Sequence, residues 1–212
     1  MTISRKIRTP FRYSFNNASL YIIGANIAVY LLELLFPYLA VYLPLNVLDV
    51  VKGHMYWQFF TYMFSHGSVQ HLLFNMLGIL FFGLAVEKTI GSREYVLFYL
   101  LSGTVCGIIS FCIYCIFGAF YVKLLGASGA VYALLFAYAV IFPKSQMYIW
   151  GILPIPAPLL IAVYAAIEII SQFSGRDGIA HMTHLAGFIF AWLYFIIRMG
   201  IHPLNIWKKN MR

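Results

Sequence analysis

Apolar residues in this chain run in long blocks, with the polar residues gathered into the gaps between them. Six blocks read as helices that cross hydrocarbon, at about 18–36, 69–86, 95–118, 127–142, 147–172 and 180–198. Spanning about 30 Å of hydrocarbon takes roughly 20 helical residues. The pattern therefore predicts an all-α polytopic membrane protein, with a six-helix domain over 18–198 between basic tails at 1–17 and 199–212. Composition agrees, since 212 residues that are 63% hydrophobic and 9% charged are too apolar for a water-soluble core of this size. The first block has a long apolar core that includes Glu33 and no cleavage site of small residues, so it is read as a retained helix rather than a signal peptide.

The gaps predict local structure. Ser14-Phe15-Asn16-Asn17 can cap the first helix. The long connection from Pro37 to about Ser68 is rich in aromatic residues, with Trp57 and Tyr62 suited to the interface, and is read as a loop lying partly in the outer leaflet. Ser102, Gly103 and Gly107 on the third helix, and Gly187 with Ala191 on the sixth, are small residues along which helices can approach. Pro154, Pro156 and Pro158 are expected to make the start of the fifth helix irregular. Glu33 is expected near an outer end, within reach of water, whereas Glu168 either faces a hydrated cavity or bonds a neighbour in protonated form.

Charge then fixes an orientation. The formal net charge of +8 would suit nucleic acid, but the cations are asymmetric along the chain. Arg5, Lys6, Arg8, Arg12, Lys88, Arg93, Lys144, Arg198, Lys208, Lys209 and Arg212 share one side of the alternating crossings, and Lys52, Lys123 and Arg176 the other. This is the positive-inside pattern, which places both termini in the cytoplasm and leaves no soluble face for nucleic acid. Cys106, Cys112 and Cys115 fall in one apolar block, which disfavours disulfides and metal ligation.

Polar side chains at the heads of three helices carry the candidate chemistry. Gly126-Ala127-Ser128-Gly129 puts a hydroxyl at a helix N-terminus, where free N–H groups and the helix dipole favour an oxyanion. Tyr132, four residues on, shares its face. His71 and Asn75 lie one turn apart at the head of the second helix, and His184 stands near the head of the sixth. Alternating crossings bring these five residues to one level of the membrane. The chemistry this permits is acyl transfer, with Ser128 as nucleophile, His184 as general base, and His71, Asn75 and the Ser128 N–H as oxyanion donors. Asp177 lies in the preceding loop and no aspartate is placed to orient His184, so the reading is a dyad, with Tyr132 positioning the imidazole by ring contact.

Taken together, His71-Leu-Leu-Phe-Asn75, Gly126-Ala-Ser128-Gly129 and His184-Leu-Ala-Gly187 resemble the three motifs of the rhomboid intramembrane serine proteases, in that family's order between about Trp57 and Ala191. The resemblance implies a six-helix fold with an outward-opening, water-filled site. It also implies cleavage in or beside transmembrane segments of other membrane proteins, with no cofactor and no metal. The lipid bilayer and transmembrane substrates are then the partners, and a monomer suffices for catalysis. A bacterial inner membrane is the expected location. Trp57-Gln58 stands where many members carry Trp-Arg, which puts a loop-stabilising arginine network in question. Ala191 replaces the usual second glycine, and His181 is a competing imidazole one turn before His184.

Two rivals differ in class. A non-catalytic rhomboid-like protein that binds membrane clients typically lacks the serine or the histidine, and both are present here. A haem or metal protein using His71 and His184 as axial ligands leaves Ser128 and its glycines unexplained.

Overall fold

The computed structural model describes residues 9–149, 153–171 and 178–210. Arg5, Lys6, Arg8, Arg176, Asp177 and Arg212 lie outside the described residues. The principal helices are α1 (Ala18–Leu35), α2 (Val69–Ile90), α3 (Ser92–Ile116), α4 (Ser128–Ile141), α5 (Ala157–Ser171), α6 (Gly178–Ile197) and α7 (Pro203–Asn210). Among the described residues, α1, α2 and α3 are long and apolar enough to cross a membrane, while α4, α5 and the His181–Ile197 part of α6 are shorter apolar helices. Large apolar side chains such as Leu35, Leu73, Ile108, Ile170 and Leu193 point outward, giving the lipid-facing surface of a membrane protein.

Small residues put α4 at the centre. Ala130, Ala133, Leu134, Ala137 and Ala139 are buried, and α4 packs against both α3 and α6. A Cβ at Gly187 of α6 would stand 2.3 Å from the Gly129 carbonyl oxygen, and one at Gly129 would stand 3.0 Å from the Cys106 Cβ of α3. The α4–α6 contact therefore has a spacing that only glycine permits, and the α3–α4 contact beside it is tight. Ala191 is also fully buried.

Several local expectations are corrected. The described residues 147–149 and 153–156 do not begin the fifth helix: β3 (Gln146–Ile149) and β4 (Leu153–Pro156) form an antiparallel pair, and α5 starts at Ala157. Alternating Pro154 and Pro156 lack N–H donors and suit a two-stranded ribbon, while Pro158 is tolerated in the first helical turn. A second short pair joins β1 (Leu45–Asn46) to β2 (Lys123–Leu124), tying the long loop to the chain entering α4. Asn17 makes no side-chain cap on α1; the buried Glu87 carboxylate from α2 accepts the Ala18 and Ser19 N–H groups instead, at 2.6 and 2.9 Å. Ser14, Asn16 and Phe11 are held by backbone contacts with Ser92 and Glu94 of α3, so this part of the N-terminal tail is docked on the protein. The C-terminal tail folds in part as α7, whose Trp207 Nε1 donates to the Ala139 carbonyl at 2.9 Å.

The long loop is anchored from within. Gln58 is fully buried where an arginine was the alternative; its oxygen accepts the Asn46 N–H at 3.0 Å and its amide nitrogen donates to the Tyr42 carbonyl at 3.3 Å. Glu33 does not reach water, because its carboxylate is buried and accepts the Ser65 hydroxyl and the His66 N–H. Gly103 and Gly107 admit the loop side chains Met63 and Tyr62 rather than another helix.

Candidate active site

The head of α4 is built by the loop before it. Gly126 N–H donates to the Tyr62 carbonyl at 2.9 Å, and Gly126 takes a φ of 106°, which favours glycine. The His71 ring lies against it so closely that a Cβ there would stand 2.5 Å from His71 Cε1. Ser128 follows as the first residue of α4, in the turn whose N–H groups have no partner within the helix.

Opposite stands the head of α2. Ser68 caps it by accepting the His71 N–H at 3.1 Å, and one turn on the buried Asn75 donates an amide hydrogen to the His71 carbonyl at 3.1 Å. Each Asn amide carries a second N–H. His66 packs edge-on against His71, with ring centroids 5.2 Å apart. Burial, with His71 beside it, pushes the His66 imidazole down to about 4, against a smaller opposing pull from the Phe64 carbonyl.

α6 delivers the third element through the glycine contact with α4. His184 Nε2 lies 2.9 Å from Ser128 Oγ. The Tyr132 ring stacks on the His184 ring, with centroids 4.2 Å apart and planes 7° apart. His71, Asn75, Ser128, Tyr132 and His184 together line one cavity of about 450 Å³, closed further by Phe81, Val131 and Tyr164. All five candidate residues are thus brought together. The cavity wall is largely aromatic and aliphatic, with the hydroxyl, amide and imidazoles gathered in it.

Sequence reasoning left one member of the cluster unassigned. Glu168 of α5 is only 4% exposed, and both its oxygens are engaged. Oε1 accepts from His184 Nδ1 at 3.0 Å and from the Tyr132 hydroxyl, while Oε2 accepts from His181 Nδ1 at 2.5 Å. His181 is therefore turned to the carboxylate, and His184 is the imidazole on Ser128. The available signal was a carboxylate inside an apolar block. One donor atom each from Glu168, His181 and His184 lies within 4.8 Å of the others, a donor set and size that suit a zinc-type cation. Both Nδ1 atoms already meet the carboxylate, so a cation would have to displace those hydrogen bonds.

Fold and site define a helical membrane protein with a serine–histidine pair in a cavity between its helices. The Rhomboid domain model matches residues 53–200, and the chain belongs to the rhomboid family. It is 31% identical over 171 residues to RHOMBOID-like protein 4 of Arabidopsis thaliana, an overlap of 78% of this chain and 40% of that protein. To RHOMBOID-like protein 12, mitochondrial, of the same plant it is 29% identical over 154 residues, covering 66% and 46%. It shares 37% identity over 59 residues with Rhomboid protease GlpG of Salmonella newport, covering 28% and 21%. The chain thus spans less than half the length of these relatives.

Proposed function

We propose that the protein is an intramembrane serine endopeptidase that hydrolyses peptide bonds in or next to transmembrane segments of membrane-protein substrates. The observation that carries this reading is the 2.9 Å approach of His184 Nε2 to Ser128 Oγ at the wall of an interhelical cavity. Family membership supports the same chemistry.

In this reading six helices cross the bilayer with both termini cytoplasmic. α4 has 14 residues and covers about 21 Å, so its head lies roughly 9 Å below one face of a 30 Å hydrocarbon layer. Ser128 is thereby sunk in the outer leaflet, where the cavity brings it water and an unwound substrate segment. A bacterial plasma membrane is the expected setting, while one plant relative is named as mitochondrial.

Ser128 Oγ bonds to the scissile carbonyl carbon as its proton passes to His184 Nε2. His71, Asn75 and the Ser128 N–H donate to the oxyanion, and removing such a donor costs about 3–4 kcal/mol in other enzymes. The C–N bond breaks as His184 returns the proton to the leaving amine. Water then attacks the acyl-enzyme, giving its proton to His184, and Ser128 recovers a proton as the acid departs. A monomer holds every group these steps need.

Cleavage of a single-span reporter with small residues near its outer interface tests this in liposomes. Wild type cleaves; Ser128→Ala and His184→Ala do not. Undiminished cleavage by either variant overturns the assignment.

A further inference from the structure

We propose that Glu168 is a positioning residue that turns the serine–histidine pair into a serine–histidine–carboxylate triad, with His181 and Tyr132 holding the carboxylate in place. The inference rests on the reading of Ser128 and His184 as the catalytic pair.

One imidazole bridges the two groups. His184 Nε2 lies 2.9 Å from Ser128 Oγ, and its Nδ1 lies 3.0 Å from Glu168 Oε1. An ionised carboxylate only accepts hydrogen bonds, so Nδ1 carries the proton and Nε2 keeps its lone pair toward the serine hydroxyl. That is the tautomer a general base needs. When Nε2 takes the serine proton, the imidazolium forms beside the carboxylate, which stabilises it without itself accepting the proton.

The surroundings of Glu168 fit this role better than that of a helix fastener. A carboxylate buried among apolar helices is costly unless its oxygens are satisfied. Here they are met from α4 by Tyr132 and from α6 by His184 and His181. Two of these three donors are the catalytic imidazole and the ring stacked on it. His181, on the second oxygen, fixes the carboxylate's rotation so that Oε1 faces His184.

In soluble serine proteases, replacing the orienting carboxylate by its amide costs about 10⁴ in kcat, because the amide favours the wrong tautomer. His184 is also held by Tyr132, so the loss expected for Glu168→Gln is smaller, roughly 100-fold in kcat, with KM within about twofold. Glu168→Asp recovers part of that loss, and His181→Ala costs several-fold.

The test measures reporter cleavage and the rate of Ser128 labelling by a fluorophosphonate in liposomes, for wild type, Ser128→Ala, His184→Ala and these variants. Thermal unfolding of each variant is followed alongside. Histidine ¹⁵N NMR of the wild type, needing no altered carboxylate, reads the His184 tautomer directly. The proposal predicts protonated Nδ1 in the wild type and a mixture in Glu168→Gln. Wild-type kcat in a folded Glu168→Gln overturns it while leaving the pair intact, whereas an Nε2–H tautomer in the wild type overturns it together with the general-base role of His184. Activity in Ser128→Ala instead overturns the catalytic reading beneath it. Loss of wild-type activity to EDTA with recovery on zinc would make the cluster a metal site and also overturn the orienting role.

Discussion

Gly187→Ala probes how the fold sets the distance between the proposed nucleophile, Ser128, and its proposed base, His184. The added Cβ would sit 2.3 Å from the Gly129 carbonyl oxygen and 3.3 Å from Ala133 N, both on the α4 backbone. Close carbon–oxygen contacts in proteins fall at about 3.3–3.6 Å, so α6 must move away from α4 by roughly 1 Å. His184 is three residues earlier on α6 and Ser128 adjoins Gly129, so most of that displacement reaches the 2.9 Å contact between them. A separation near 3.9 Å no longer hydrogen-bonds. A misplacement of this size costs on the order of 100-fold in rate, and the overpacking costs about 1–3 kcal/mol in stability. Reporter cleavage and fluorophosphonate labelling should fall together, in protein that still unfolds cooperatively. Gly24→Ala is the control, because a Cβ there meets nothing within 4 Å. Activity within threefold of wild type in Gly187→Ala would refute the argument that this glycine contact sets the catalytic distance.

Further expectations concern the groups around the pair. Tyr132→Phe keeps the ring on His184 but loses the hydroxyl on Glu168, so labelling of Ser128 should slow by severalfold, whereas Tyr132→Ala should slow it more than tenfold. Gln58→Ala leaves the buried Asn46 N–H without its acceptor, while the Tyr42 carbonyl keeps the Trp57 indole N–H, and should lower stability by about 1–3 kcal/mol in thermal unfolding while kcat at low temperature is kept. His66 titrates near 4 when folded and near its ordinary value of 6.5 when unfolded. The unfolded chain therefore binds more protons between those values, and stability should fall as pH drops from about 6.5 to 4, by at most about 3 kcal/mol. His66→Phe should flatten that dependence in melts taken across this range.

Much of the site was legible because its residues come in short motifs with fixed consequences. The glycines around Ser128 read as a loop ending in a helix, and the four-residue spacings of His71 with Asn75 and of Ser128 with Tyr132 placed each pair on one face. What escaped was contact between residues far apart in the chain. Glu168 was visible as a misplaced carboxylate, but nothing local could say that α5 turns it toward Tyr132, His181 and His184. Glu33 is similar, since it accepts the Ser65 hydroxyl and the His66 N–H on the distant loop and so is buried where a reach to water was expected. The residues from 147 onward looked like the start of a helix because apolar content dominates a hydropathy window. Prolines at alternate positions were the better guide, because they deny a helix its donors.

The central claim is that Ser128 is a nucleophile made reactive by His184, and site-mapped covalent labelling tests it most directly. Wild type, Ser128→Ala and His184→Ala are treated with a fluorophosphonate in liposomes, and the modified residue is located by mass spectrometry of the digested protein. The account predicts modification at Ser128 approaching one label per chain in the wild type, none in Ser128→Ala, and labelling slowed by at least 100-fold in His184→Ala. Equal labelling of wild type and His184→Ala, or a label on another residue that persists in Ser128→Ala, would contradict it.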